Sequence, residues 1–196
     1  MYTHGFNSKK YGIKTSLSVN GKPKHTHLFK SWLHALERSY SEKWHLKYPT
    51  YSECSVSVDW FDFQEYGKHW LDSDFYNEGW HLDKDLLFKG NKVYSKDTCV
   101  FLPPSVNKFL TKNNVNRGSL PIGVHFSSRN KKYAADCGDL DGKKIWLGYH
   151  NSPDKAFLAY KNCKEELARM LAERWKSDID PRAILALNNY EVSIHD

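Results

Sequence analysis

The chain has 196 residues, 40% of them hydrophobic and 27% charged, with a net charge of +6. That length allows one medium domain or two or three small modules, and 7 Trp, 12 Tyr and 10 Phe supply a core that a disordered chain lacks. No apolar run approaches the roughly 20 residues of a membrane span, and no apolar stretch follows the first charges as a signal peptide requires.

In chain order, residues 11–29 alternate around Asn20-Gly21, the strongest short hairpin signal. Trp32, Leu33, Leu36 and Tyr40 follow at helical spacing. Trp60, Phe63, Tyr66 and Trp70 recur every three or four residues, which predicts a helix burying aromatics, in a core or at a dimer surface. Residues 79–88 read as a strand, 89–95 as a turn and 97–103 as a second short strand. Pro103-Pro104-Ser105 then opens a helix. The polar, Gly/Pro-punctuated stretch that follows is a linker. Three strand candidates fall in 121–150, centred on Val124-His125-Phe126, Tyr133-Ala134-Ala135 and Ile145-Trp146-Leu147. A helix from Ser152-Pro153 to about Trp175 places Ala156, Tyr160, Cys163, Leu167 and Leu171 on its apolar positions, and a last short helix covers Asp180 to Tyr190.

The fold class expected is therefore α+β. An N-terminal hairpin and helices occupy 1–78, a ββα unit 79–112, a linker 113–120, a three-stranded antiparallel sheet packed on a helix 121–175, and a helix with a tail 176–196. Cys54, Cys99, Cys137 and Cys163 stand singly, which argues against a zinc ribbon and a disulfide scaffold. The last three sit in apolar contexts as small core residues. A reducing, cytoplasmic setting is expected.

Charge is unevenly placed. Residues 1–50 carry nine Lys/Arg and two Asp/Glu, residues 51–100 five and ten, residues 101–150 eight and three, and residues 151–196 seven and eight. Two basic segments thus flank an acidic one. Basic segments suit a polyanion, and an acidic island either pairs with its neighbours or holds a cation. Lys14, Lys22 and Lys24 lie on the N-terminal hairpin. In the C-terminal module, alternation puts Val124, Phe126, Tyr133, Ala135 and Ile145 on one sheet face. His125, Ser127, Arg129, Lys132, Lys144 and Trp146 fall on or near the other. A sheet surface with such donors fits the DNA major groove.

Gly123-Val124, Lys132-Tyr133-Ala134-Ala135, Trp146-Leu147-Gly148 and Ala156 through Tyr160 occur in the order seen in the DNA-binding domain of plant ethylene-response factors, the APETALA-type module, which this stretch resembles. The resemblance implies contacts to bases and phosphates from His125, Ser127, Arg129, Lys132, Lys144 and Trp146. Arg129 is the only arginine kept at these positions, so the plant target sequence is not implied.

Leu82 to Lys112 resembles a ββα-metal (HNH) nuclease. In that chemistry an Asp on the first strand and a His or Asn on the helix hold one divalent cation, and a His beside the Asp takes a proton from water. Asp83 matches the Asp, Thr98 stands at the middle position and Asn107 matches the helix ligand. Lys84 occupies the place of the general base, and a charged ammonium is a poor proton acceptor that repels a cation. His81, two residues before Asp83, is a substitute base, and Asp85 a second carboxylate ligand. An active unit would use Mg2+ or Mn2+. The alternative is a structural charge cluster of Asp83, Lys84 and Asp85 in a vestigial nuclease fold.

Over nearly its full length the chain resembles phage and mobile-element HNH homing endonucleases and associated DNA-binding proteins. The residues that carry this are Leu82 through Leu87, Gly90 through Ser95, Thr98 through Pro103, Val106-Asn107, Tyr51 to Trp60 and Leu120 through Val124. The implied function is sequence-specific binding of double-stranded DNA without cleavage, as a repressor or regulator of a phage or mobile element inside a bacterial host cell. A repressor of this kind usually binds a palindrome as a homodimer. The alternatives are an active metal-dependent HNH nuclease and a protein-binding domain with an incidental basic surface. No membrane partner is expected.

Overall fold

Asn20 and Gly21 close a two-residue turn with φ of 51° and 74°. Left-handed backbone at both central positions matches the twist of the flanking strands, which is why this pair forms hairpins. Strands β1 (Ser16–Val19) and β2 (Lys22–His25) pair antiparallel, with Val19 opposite Lys22 and Ser16 opposite His25. They make a two-stranded sheet of their own. The structure is a computed structural model and describes residues 4–111 and 119–196. The linker expected at 113–120 falls, through residue 118, outside the described residues.

Helix α1 (His27–Tyr40) starts where the Thr26 side chain accepts the Phe29 N–H, and it buries Leu28, Trp32, Ala35 and Leu36. Helix α2 (Glu42–Lys47) is capped by Ser41. Helix α3 (Phe63–Leu71) begins later than its aromatic period suggests. Residues 58–61 form a tight 3-10 turn instead, because Asp62 accepts the Gln64 N–H as the α3 N-cap and fixes the helix start there. Trp60, Phe63, Tyr66 and Trp70 are all at most 2% exposed, so these aromatics are core and not a dimer surface. Each buried ring contributes about 1.5–3 kcal/mol. The Trp32 indole, buried beside them, donates to the Trp60 carbonyl at 2.7 Å.

Strand β3 (Ser55–Val56) pairs parallel with β5 (Val93–Tyr94), and β4 (His81–Asp83) pairs antiparallel with β6 (Val100–Leu102). This corrects two expectations. The strand predicted over 79–88 ends at Asp83, because its carboxylate accepts the Asp85 and Leu86 N–H groups at 3.0 and 2.7 Å and turns the chain aside. The predicted turn 89–95 contains β5, whose parallel partner is distant in sequence and gives no local signal. Helix α4 (Pro104–Leu110) follows β6.

The chain divides into two compact units, the first ending at Pro104 and the second beginning at Ser105. The ββα stretch is therefore split, with β4 and β6 in the first unit and Asn107 on α4 in the second. In the second unit β7 (Val124–Ser127), β8 (Lys132–Gly138) and β9 (Lys144–His150) form an antiparallel sheet in the order β7-β8-β9. Helix α5 (Pro153–Trp175) packs on all three strands. Its Ser152 cap and Pro153 fall as the sequence predicts, and Ala156, Tyr160, Leu167 and Leu171 are buried. Helix α6 (Pro181–Asn188) packs on α5 through Ala183 and Leu187, so the last residues belong to this unit. The architecture is mixed α+β with small sheets, one of them three-stranded and antiparallel. Among the described residues no helix is long and apolar enough to cross a membrane.

Candidate functional site

The register of the three-stranded sheet sorts its side chains. Val124 stands opposite Ala135 and Cys137 opposite Ile145, on the face that α5 covers. Val124, Ala135 and Cys137 are buried. Phe126 and Tyr133 are paired on the same side and meet edge-on, 5.3 Å between centroids, although Phe126 stays exposed. On the opposite face His125 stands beside Ala134, Ser127 beside Lys132, and Trp146 beside Asp136. The five-and-six division of faces expected from alternation is thus the one observed, apart from Arg129. Arg129 lies in the β7–β8 turn at the sheet's end, exposed.

A β-bulge adds a residue the alternation rule misses. Asp136 faces Trp146 and Ala134 faces Tyr149, so Leu147 and Gly148 together oppose Ala135. The extra residue reverses the parity of β9. Trp146 and Tyr149, three apart in sequence, therefore share the outer face, with ring centroids 4.9 Å apart and 49% and 46% of their surfaces exposed. Gly148 has φ of 97°, which a side chain would strain. A glycine inside a predicted strand is the signal that could have found Tyr149.

Asp136 is the second residue the sequence reading missed. Its Oδ2 lies 2.8 Å from the Lys144 ammonium and 3.3 Å from His125 Nδ1. It fixes two candidate contact residues in place and offsets part of their charge. Lys132 forms no ion pair among the described residues. The face thus offers two ammonium groups, an imidazole, a hydroxyl and an aromatic pair on a rigid sheet. Ammoniums suit phosphates, and the aromatic pair suits sugars and base edges.

On the N-terminal hairpin, Lys14, Lys22 and Lys24 are exposed and form no ion pair among the described residues. Lys22 and Lys24 share one face of the ribbon with Val19 and Leu17.

The nuclease-like residues are arranged differently. The Lys84 side chain is 9% exposed, and its ammonium donates to Asp85 Oδ1 and to the Asn91 carbonyl, both at 2.7 Å. The Asn91 amide returns a bond to the Lys84 carbonyl at 2.8 Å and reaches the Val93 carbonyl at 2.7 Å. Lys84 and Asn91 thereby tie the loop from β4 to β5 into one closed network. A cavity of about 170 Å3 opens beside it, lined by Tyr51, Lys84, Asp85, Asn91 and Lys92 among others. Burial pushes the Asp83 carboxyl up, against the pull of the Leu86 N–H. His81, opposite Leu102, is exposed.

These donors fit a divalent cation poorly. Asp83 Oδ1 is taken by two backbone N–H groups, and Asp85 holds an ammonium. Among the described residues no three His, Cys, Asp or Glu side chains gather as a metal site. Asp83, Lys84 and Asp85 are thus each engaged in hydrogen bonds within this loop.

Of the cysteines, Cys54, Cys99 and Cys137 are buried and Cys163 is half-buried, and none is joined in a disulfide. No protein-family model, no curated protein and no solved structure matches the chain.

Proposed function

We propose that this chain is a sequence-specific double-stranded DNA-binding protein that has lost cleavage, a repressor or regulator of a phage or mobile element. The observation that carries the reading is the outer face of the three-stranded sheet. It sets Lys132, Lys144, His125 and the Trp146–Tyr149 pair on one exposed surface, with Arg129 at its end. Two strands and their side chains fit the width of the major groove, and lysines flanking aromatics suit its phosphate walls. The order β4, β6, α4 supports descent from an HNH unit, together with the resemblance of the blocks around it. The buried Lys84 ammonium, in place of a proton acceptor, favours binding without cutting.

The test is supercoiled plasmid carrying the neighbouring DNA of the source genome, incubated with and without Mg2+ or Mn2+ and followed by gel shift. The expected result is a specific shift, no nicking, and affinity that falls steeply between about 50 and 200 mM salt. Arg129→Ala with Lys144→Ala weakens it, and Asp83→Asn, which keeps the acceptor oxygen, does not. Metal-dependent nicking abolished by Asp83→Asn would make the chain an active nuclease. Absence of any salt-dependent DNA affinity would overturn the reading in favour of a protein-binding domain.

A further inference from the structure

The β1–β2 hairpin is more than a charged strip. We propose that it is a wedge arm that enters the minor groove of duplex DNA, inserts Leu17 and Val19 at a base step and bends the helix. This rests on the DNA-binding reading above.

The register places Leu17 directly opposite Lys24 and Val19 directly opposite Lys22. One face of the ribbon therefore presents two aliphatic side chains flanked by two ammoniums. Leu17 is 53% exposed and Val19 46%, and the hairpin joins no larger sheet that would cover them. About half of each side chain thus stays in water in the free protein and would be covered against an apolar surface.

Charge selects the partner. The first acidic residue in the sequence is Glu37, so the two strands of the arm carry only positive charge; Glu65 pairs with Lys10 beside the base, and Lys14, Lys22 and Lys24 have no ion pair among the described residues. That complements a polyanion. The wedge face combines these ammoniums with two uncovered aliphatic side chains. What it offers, aliphatic surface between two phosphate-binding ammoniums, is the equipment of minor-groove proteins that unstack a base step.

The base of the arm is rigid, as a wedge needs. Thr26 bonds back to Thr15 and Lys14, at 2.9 Å through its N–H and 3.3 Å through its hydroxyl. The His25 ring lies 4.9 Å from that of Phe29 on α1. Gln64, fully buried on α3, binds both backbone groups of Ile13.

The experiment uses the full chain and an A·T-rich duplex with a donor and an acceptor dye at its ends. Wild type is expected to bind and shorten the end-to-end distance, a bend of tens of degrees. Leu17→Ser with Val19→Ser is expected to keep affinity within about tenfold and to leave the duplex straight. Circular dichroism confirms that this variant is folded. A duplex with 2-aminopurine at successive steps needs no variant, because unstacking by wild type brightens the probe at the wedge site. Binding without bending or brightening overturns the wedge and leaves the DNA-binding reading standing. A double-serine variant that bends DNA like wild type also overturns the wedge. No duplex binding, with co-sedimentation on phosphatidylserine vesicles instead, overturns both readings and makes the arm a membrane contact.

Discussion

Gln64 holds Ile13 from both sides: its side-chain oxygen accepts the Ile13 N–H at 2.9 Å, and its amide nitrogen donates to the Ile13 carbonyl at 3.0 Å. The same oxygen accepts the Tyr11 N–H at 3.2 Å, and the amide also reaches Asn7 at 2.7 Å. One fully buried side chain thus satisfies a segment that belongs to no sheet and delivers the chain to the hairpin. Gln64→Leu keeps the volume and leaves these backbone groups unpaired. Loss of about 1–3 kcal/mol is expected in chemical denaturation. Hydrogen exchange at the Ile13 amide should accelerate by more than the global loss accounts for, since the arm base loosens first. An unchanged Ile13 exchange rate would show that Gln64 does not anchor the arm.

Asp62 gives the first unit an acid-sensitive joint. Burial alone would raise its carboxyl, but bonds from the Ser8 hydroxyl and N–H and the Gln64 N–H, with Lys10 nearby, hold it below the usual carboxylate range. A depressed folded-state pKa contributes stability that is present above about pH 4 and lost as pH falls through the folded value. Wild type should therefore lose more stability than Asp62→Asn as pH drops from about 5 to 2. Parallel denaturation curves for the two proteins over that window would contradict this.

Lys84 separates a structural from a chemical role. Its ammonium is buried and committed to Asp85 and the Asn91 carbonyl. Lys84→Met removes both bonds while keeping the aliphatic stem. About 1–3 kcal/mol of stability should go with them, and DNA affinity in a gel shift should stay as it was. Lys84→His should not create nicking activity, because Asp83 Oδ1 keeps the Asp85 and Leu86 N–H groups that occupy it. Nicking by Lys84→His in Mg2+ would mean that the site is a dormant nuclease awaiting one group.

Much of this fold is legible in local chemistry. Asn20-Gly21 announces its hairpin, Ser152-Pro153 its helix start, and the alternation through Val124 and Phe126 the covered face of the sheet. What escapes the sequence depends on bonds and pairings that no period announces, some local and some distant. The β3–β5 pairing joins residues that share no period, and the Asp83 turn looks like strand until its carboxylate is seen bonding forward. The Lys84 bonds to Asp85 and the Asn91 carbonyl have no sequence signal either, because Asn91 lies seven residues on and no spacing rule links them. Tyr149 is hidden by one bulge that reverses the parity of its strand. Gln64 carries no sequence signal at all, standing as a polar residue within an aromatic helix.

Gly123, just before β7, packs directly against the Tyr160 ring of α5. Its φ is 75°, and a Cβ added there would sit 2.0 Å from the Tyr160 ring on α5. Backbone strain and overlap with a buried ring act together. Gly123→Ala should cost the second unit about 2–4 kcal/mol, read as a lower Tm with the far-ultraviolet signal of its helices retained below the transition. A variant as stable as wild type would mean that β7 and α5 can separate at this point without loss.

Asp136 tests the charge logic of the outer face. Its carboxylate holds Lys144 at 2.8 Å and lies 3.3 Å from His125, so it competes with phosphate for both. Asp136→Asn removes the negative charge, keeps the shape and releases Lys144 toward a ligand. Duplex affinity at ~100 mM salt should rise about two- to fivefold, with the salt slope steeper by up to about 0.9, one further released counterion. Lys144→Ala on the Asp136→Asn background should return the slope to the wild-type value. If Asp136→Asn instead weakens binding to one sequence and spares others, the carboxylate itself reads a base, accepting from a cytosine amino group, and the face is a reader as well as a clamp.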